Sequence, residues 1–278
     1  MRFTRRIFGG VFGIGLLGCS AIAGAEPLRF QLVHRHLVIV RGGIGPLEGL
    51  RFLIDTGAMP SVLDRKVAKR LALKPQEMEF IAFGKKAKVG AAVLPEIRLG
   101  LLRFQAVTAG IGDLSFVTGI DAIIGLDILS RGSFSIDYNQ RQLTFGPLSE
   151  RDQGVKLEVT PPFLTVQVRI SGQPFRLIVD TGSGRLVLFQ HRMKDRLPLL
   201  PVNGQLLVNH LAGTSRLDRV LLPAVEAGDS TFGRVEGFIS DASLAGYPNG
   251  IDGVLGVRVL AAKRVGFDFE RNRLAFTP

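Results

Sequence analysis

Two aspartates in this 278-residue chain keep the same company: Asp55 in Asp55-Thr56-Gly57 and Asp180 in Asp180-Thr181-Gly182. Each triplet closes an apolar run, Phe52-Leu53-Ile54 and Leu177-Ile178-Val179. A carboxylate at the end of a buried strand, followed by a small hydroxyl residue and a glycine, suits one chemistry when it occurs as a pair. The two carboxyls share a proton and activate a water held between them. One such triplet carries little weight alone. What decides is whether the surrounding chain repeats in step with the two.

The chain does repeat. Arg51 to Ala58 aligns with Arg176 to Ser183 at an offset of 125. Val67 and Leu71 align with Met193 and Leu197 at 126, and Leu94 to Gly100 with Leu222 to Gly228 at 128. Asp121 to Gly125 then aligns with Asp252 to Gly256 at 131, and Ile136-Asp137-Tyr138 with Phe267-Asp268-Phe269. A slow drift of this kind is what loop insertions leave behind in a tandem duplication. Two lobes are expected, residues 26–150 and 151–278, each far longer than a solenoid repeat.

The expected class is mostly β. Apolar or alternating segments such as Leu37–Val40, Phe163–Ile170, Phe134–Tyr138 and Val265–Phe269 read as strands, with Pro, Gly and Asn turns between them. Val67 and Leu71, and likewise Met193 and Leu197, sit at i, i+4 in basic stretches, which predicts one short amphipathic helix after each triplet. Asp127–Ser130 and Val257–Ala262 are the other helical candidates.

Composition narrows the setting. Hydrophobic residues make up 46% of the chain, ample for a core. Residues 1–25 read as an export signal. Arg2, Arg5 and Arg6 precede an uncharged apolar stretch that ends in Ala23-Gly24-Ala25. Thr4-Arg5-Arg6-Ile7-Phe8 resembles a twin-arginine motif, and Leu16-Leu17-Gly18-Cys19 resembles a lipobox. Cleavage after Ala25, lipidation at Cys19 and an uncleaved anchor all remain open, and all imply export from a bacterial cytoplasm to the periplasm or its membrane face. Cys19 is the only cysteine. Cleavage after Ala25 would leave no disulfide, no thiol nucleophile and no cysteine metal site. Net charge is +11, or +8 without the three arginines of the signal, and the basic residues are scattered. That pattern suits a solvated surface with a leaning toward acidic substrates or membranes, and not a nucleic-acid partner.

An apolar-apolar-Asp-Thr-Gly element followed some 70 residues later by apolar-apolar-Gly resembles the aspartic peptidases of the pepsin and retropepsin type. Both halves carry both elements, the second being Ile123-Ile124-Gly125 in one lobe and Val254-Leu255-Gly256 in the other. The resemblance covers nearly all of the chain beyond the signal. It implies a bilobal acid-protease fold with β-barrel-like lobes related by a pseudo-twofold axis. It implies Asp55 and Asp180 as the catalytic dyad. Thr56 and Thr181 would reach across to the opposite loop, and Gly57 and Gly182 would offer N–H groups to the carboxyls. Ser183 would give Asp180 an extra hydrogen bond that Ala58 cannot give Asp55. One pKa of the pair is expected to fall and the other to rise. Two mobile hairpins, or flaps, are expected around Phe83-Gly84-Lys85-Lys86 and Leu211-Ala212-Gly213-Thr214. Pepsin-type members carry a flap tyrosine, whereas the only tyrosines here are Tyr138 and Tyr247. In that respect the chain is similar to two fused retropepsin protomers.

Other candidates have plainer readings. Asp121, Asp252, Asp137 and Asp268 suit turns and strand ends. His34 and His36 share a strand face with no acid near them in sequence, which predicts surface histidines and no metal site. Gly42-Gly43-Ile44-Gly45 lacks the Lys-Ser/Thr of a phosphate loop. The expected function is therefore aspartic endopeptidase on a polypeptide substrate, without cofactor, active as a monomer. The alternative is a protease fold that captures peptides or a protein partner without cutting them.

Overall fold

Period-two alternation with both faces covered accounts for most of this chain. The computed structural model describes residues 26–277 apart from 83–84, 118, 150–152, 194, 211–212 and 242–246, with the backbone alone at 80–82, 85–87 and 153. The expected export signal, residues 1–25, lies outside the described residues. Among them, no helix is long and apolar enough to cross a membrane.

The first lobe runs β1 (Leu28–Val33), β2 (Leu37–Ile44), β3 (Leu47–Ile54), β4 (Val62–Asp64), α1 (Arg65–Arg70), β5 (Gln76–Ala82), β6 (Lys85–Val93), β7 (Ile97–Leu99), β8 (Leu102–Phe104), β9 (Thr108–Gly112), β10 (Ala122–Ile124), α2 (Leu126–Leu129), β11 (Phe134–Asp137) and β12 (Gln142–Phe145). The second runs β13 (Gln153–Thr160), β14 (Phe163–Ile170), β15 (Gln173–Asp180), β16 (Leu186–Phe189), α3 (Gln190–Met193), β17 (Val202–His210), β18 (Gly213–Ala227), β19 (Ser230–Ser240), β20 (Gly253–Gly256), β21 (Arg264–Asp268) and β22 (Arg273–Thr277), with a 3-10 turn at Val257–Leu260.

The duplication read from the sequence is a duplication of topology. One strand order, β5-β6-β9-β4-β10-β3-β2-β1, recurs as β17-β18-β19-β16-β20-β15-β14-β13. In each lobe the same two pairings are parallel: β3 with β10 and β4 with β9, then β15 with β20 and β16 with β19. Long β18 fuses the counterparts of β6 and β7, and β19 those of β8 and β9.

Alternation sorts the side chains into two layers. Val38, Val40, Phe52 and Ile54 enter the main core, while Leu37, Ile39 and Leu53 enter a smaller cluster on the opposite sheet face. The second lobe does the same: Val166, Val168, Leu177 and Val179 face the core, and Phe163 and Ile178 the opposite side. Helix α1 buries Val67 and Ala68, is capped by Asp64 accepting from the Lys66 N–H, and carries Lys69 and Arg70 in its last turn, where the helix dipole favours cations. Its partner α3 ends at Met193, where the expected Met193–Leu197 span begins, although Leu197 still packs on the core.

A third sheet joins the lobes, in the order β1-β12-β11-β21-β22-β13. Its centre is the antiparallel pair β11–β21, with Phe134 opposite Phe267. Both rings are fully buried and stack at 4.7 Å between centroids. Phe134→Ala should cost about 3–5 kcal/mol of unfolding free energy. Urea denaturation of the purified variant checks this, and an unchanged midpoint would mean that the joint carries no load.

Candidate active site

Each aspartate sits where its chain turns between two strands that a third strand separates. The first lobe enters on β3, turns at Asp55–Gly57 and leaves on β4. Strand β10 threads between them, parallel to β3 with Ile124 beside Ile54, and antiparallel to β4 with Ile123 beside Val62. The second lobe repeats this with β15, β16 and β20: Leu255 lies beside Val179, and Val254 beside Val187. The two apolar-Gly elements, Ile123-Ile124-Gly125 and Val254-Leu255-Gly256, are therefore the wedges that splay each aspartate loop. A side chain at either glycine would collide with backbone. A Cβ on Gly125 would lie 2.5 Å from the Ala58 carbonyl oxygen, and one on Gly256 equally close to the Ser183 carbonyl oxygen.

Asp121 and Asp252 lock the arrangement from behind. Their Oδ2 atoms accept from the Arg51 and Arg176 N–H groups, both at 2.8 Å. Asp252 also pairs with Arg196 at 2.8 Å, and the Arg196 guanidinium lies 3.9 Å over the Phe175 ring. These two acids hold strands and stand apart from the dyad.

The two aspartate loops meet across the lobes. Thr56 and Thr181 are fully buried. The Thr56 hydroxyl donates to the Val179 carbonyl at 2.8 Å and accepts from the Thr181 N–H at 3.1 Å. The Thr181 hydroxyl donates to the Ile54 carbonyl at 2.8 Å and accepts from the Thr56 N–H at 3.0 Å. This reciprocal exchange brings the carboxyls of Asp55 and Asp180 within hydrogen-bonding reach of each other. Gly57 donates to Asp55 Oδ1 at 2.8 Å and Gly182 to Asp180 Oδ1 at 2.7 Å. Each glycine also faces the opposite carboxyl: a Cβ on Gly57 would lie 2.6 Å from Asp180 Cγ, and one on Gly182 2.6 Å from Asp55 Cγ. Only glycine fits at either place.

Both carboxyls keep an open edge and are otherwise enclosed by protein. Burial raises Asp55, against the pull of its bond with Asp180 and of the Gly57, Gly182 and Ala58 N–H groups. Asp180 is raised well above the ordinary range, by burial first and then by the facing Asp55. The sequence expectation was one pKa down and one up. Desolvation shifts both upward, so the pair holds its shared proton to higher pH than an exposed aspartate would.

Ser183 differs from expectation as well. Its hydroxyl turns away from Asp180, accepting from the Arg185 N–H at 3.2 Å and donating to the Arg185 carbonyl at 3.4 Å. From Ser183, Asp180 receives the backbone N–H and not the hydroxyl, just as Asp55 receives the backbone N–H of Ala58. The two halves of the dyad are thus alike at this position.

The sequence reading missed Ser61 and Asp127. The buried Ser61 hydroxyl donates to Asp127 Oδ1 at 2.7 Å and accepts from the Gly125 N–H at 2.9 Å, tying α2 to the first aspartate loop. Burial raises Asp127 despite these bonds. The duplication hid the pair, because the aligned positions in the second lobe are Leu186 and Arg258.

Hairpins stand at both expected flap positions. Strands β5 and β6 pair up to Ala82 and Lys85, and β17 and β18 up to His210 and Gly213. Phe83, Gly84, Leu211 and Ala212 lie outside the described residues. Thr214 donates to Asn209 Oδ1 at 2.8 Å beside the second turn. The hairpin stems pack toward the dyad loops: Met78 and Val89 join the cluster of Val62, Ile123 and Ala58, while Leu206, Val208 and Leu217 join Val187 and Val254. His210, which the sequence left unassigned, is buried at the stem with its ring 2.9 Å from the Ser215 hydroxyl.

Thr181→Val keeps the side-chain shape and removes the crossing bonds. The Thr56 N–H and the Ile54 carbonyl would then be buried without partners, at about 1–3 kcal/mol each. The variant's thermal midpoint should fall accordingly, and an unchanged midpoint would show that the crossing bonds do not hold the loops.

The aspartyl protease family model matches residues 40–128 and 166–259, one match in each lobe. Among solved structures, the crystal structure of an aspartic proteinase from Irpex lacteus is similar at TM-score 0.56 and 16% identity, covering 91% of this chain and 98% of that one. Among curated protein sequences none matches. With two thirds of its length matched in duplicate and the bilobal acid-protease architecture throughout, the chain belongs to the aspartyl protease family.

Proposed function

We propose that the protein is an endopeptidase that cleaves polypeptides with a water activated between Asp55 and Asp180. The observation that carries this reading is the meeting of two raised, enclosed carboxyls at one point, each held by a glycine N–H. With one proton on the pair, the ionised carboxyl takes a proton from water as the oxygen attacks the peptide carbonyl. The protonated carboxyl donates to the carbonyl oxygen, giving a neutral gem-diol. Collapse of the diol breaks the C–N bond. The amine leaves with the proton the first carboxyl had gained, and the diol hydroxyl returns one to the second. The pair ends with a single proton, as it began, and no covalent intermediate forms. The hairpins β5–β6 and β17–β18 act as flaps that close over the substrate and exclude water.

The test is cleavage of a mixed peptide library by the protein without residues 1–25, from acid to neutral pH. Asp55→Asn and Asp180→Asn should each lower kcat/KM by on the order of 10^4-fold, and the double variant should be little worse, because the two act as a unit. Binding of peptides without any cleavage would sink the proposal in favour of a capture module. The rate should follow a bell in pH. Its alkaline limb marks loss of the shared proton. Since both carboxyls are raised, that limb should lie well above the ordinary aspartate value of about 3.9. A limb at that value would contradict the burial argument.

We infer further that the protein works as a monomer outside the bacterial cytoplasm. The first inference rests on one chain supplying both halves of the site, and the second on Arg2, Arg5, Arg6 and the apolar stretch to Ala25. Cell fractionation with N-terminal sequencing should find the exported form starting at Glu26 or at a blocked Cys19. Recovery of the whole chain from the cytoplasm would refute export.

A further inference from the structure

The two aspartate loops are alike through the dyad and diverge just beyond it. After Gly57 the first lobe continues Ala58-Met59-Pro60, which carries no charge, and after Gly182 the second continues Ser183-Gly184-Arg185. Arg185 leaves a stretch of backbone that is pinned on both sides. Its N–H donates to the Ser183 hydroxyl, and its carbonyl accepts from Gly256 at 2.8 Å. Its guanidinium lies 5.5 Å over the Phe238 ring. Phe238 packs with Val187, Leu217 and Val254, the cluster that links the second hairpin to the dyad loop. Arg185 thus lies against the cluster that joins the second hairpin to the second aspartate loop.

One group beside it comes from the other lobe and is a histidine. His36, from the β1–β2 turn of the other lobe, packs on Gly184 so closely that a Cβ there would meet its ring at 2.9 Å. Burial lowers the His36 pKa, and the charges of Arg185, His34 and Arg258 lower it further. Arg258 is itself occupied, stacked 4.4 Å over Tyr138 and donating to the Ala262 carbonyl. Among the described residues, no carboxylate forms an ion pair with Arg185. A half-buried arginine on an aromatic face, with no carboxylate partner among the described residues, is built to take a planar anion.

We propose that Arg185 is a specificity-determining residue that binds a carboxylate of the polypeptide substrate, either an Asp or Glu side chain or the substrate's C-terminus. This rests on the peptidase reading above. Arg185 follows Asp180 by five residues, a span of at most about 18 Å, so an extended substrate would carry the recognised carboxylate within about five residues of the cleaved bond. The general excess of basic charge favours the same ligands at longer range.

The experiment uses two matched peptide sets. In one, Asp or Glu is compared with Asn or Gln at each of five positions on either side of the cleaved bond, with the C-terminus amidated. In the other, all side chains are uncharged and the C-terminus is free or amidated. The native chain should favour a carboxylate at one place by about 10- to 100-fold in kcat/KM. Arg185→Lys should keep part of that preference. Arg185→Gln should abolish it while leaving neutral peptides cleaved as before, and Arg185→Glu should turn it toward lysine. A misfolded variant would instead lose all substrates together, and its thermal midpoint would show it. Absence of any carboxylate preference in the native chain, or a preference surviving in Arg185→Gln, would overturn the proposal. If no peptide is cut, the peptidase reading fails. Binding of the same peptides, read by fluorescence anisotropy, then decides the Arg185 proposal by the same comparison.

Discussion

Two carboxyls that repel each other are held together here, and the reciprocal bonds of Thr56 and Thr181 are what hold them. Two full charges about 4 Å apart in surroundings of effective dielectric near 20 repel by about 4 kcal/mol. Four hydrogen bonds at a net of about 1 kcal/mol each are of the same size. That near balance disfavours two full charges at this point and leaves the crossing bonds unable to hold the loops alone. The sheet shared by the lobes, with Phe134 stacked on Phe267 at its centre, supplies the remaining rigidity from well below the site.

The same constraint dictates residue types around it. Because each carboxyl lies against the opposite glycine, Gly57 and Gly182 have no substitute. Because β10 and β20 must wedge between the strands entering and leaving each loop, those wedges end in glycine and are otherwise apolar. Asp121 and Asp252 then fix the wedges to the incoming strands through the Arg51 and Arg176 N–H groups. The site is thereby built from backbone to a large extent, and few side chains touch the crossing point.

Much of this was legible because it occurs twice. The triplets, the wedges, the strand–turn–strand at each lobe end and the short helix after each loop all survive alignment of the halves. Features without a counterpart stayed hidden. Ser61 and Asp127 bond each other, but Leu186 and Arg258 occupy the aligned places, so no repeat marked them. The Ser183 hydroxyl was misread for a related reason. A neighbouring backbone offered it both a donor and an acceptor at Arg185, and such a local turn competes well with a more distant carboxyl. The joint sheet was invisible because nothing in the composition of β11 or β21 says which edge meets which. The upward shift of both carboxyls depends on enclosure, a property of the folded chain alone.

Symmetry also sets a problem that the fold has to solve. A polypeptide has a direction, and a dyad related by a pseudo-twofold axis has none. With Ala58 and Ser183 each giving only a backbone N–H, the residues next to the two triplets offer no means of telling one end of a substrate from the other. Direction must therefore come from the shell beyond them. There the halves differ in kind: Met59 and Pro60 follow one loop, Gly184 and Arg185 the other, and His36 leans on Gly184. Duplication of a lobe brings the two carboxyls together, and divergence just outside the duplicated contacts makes their surroundings directional.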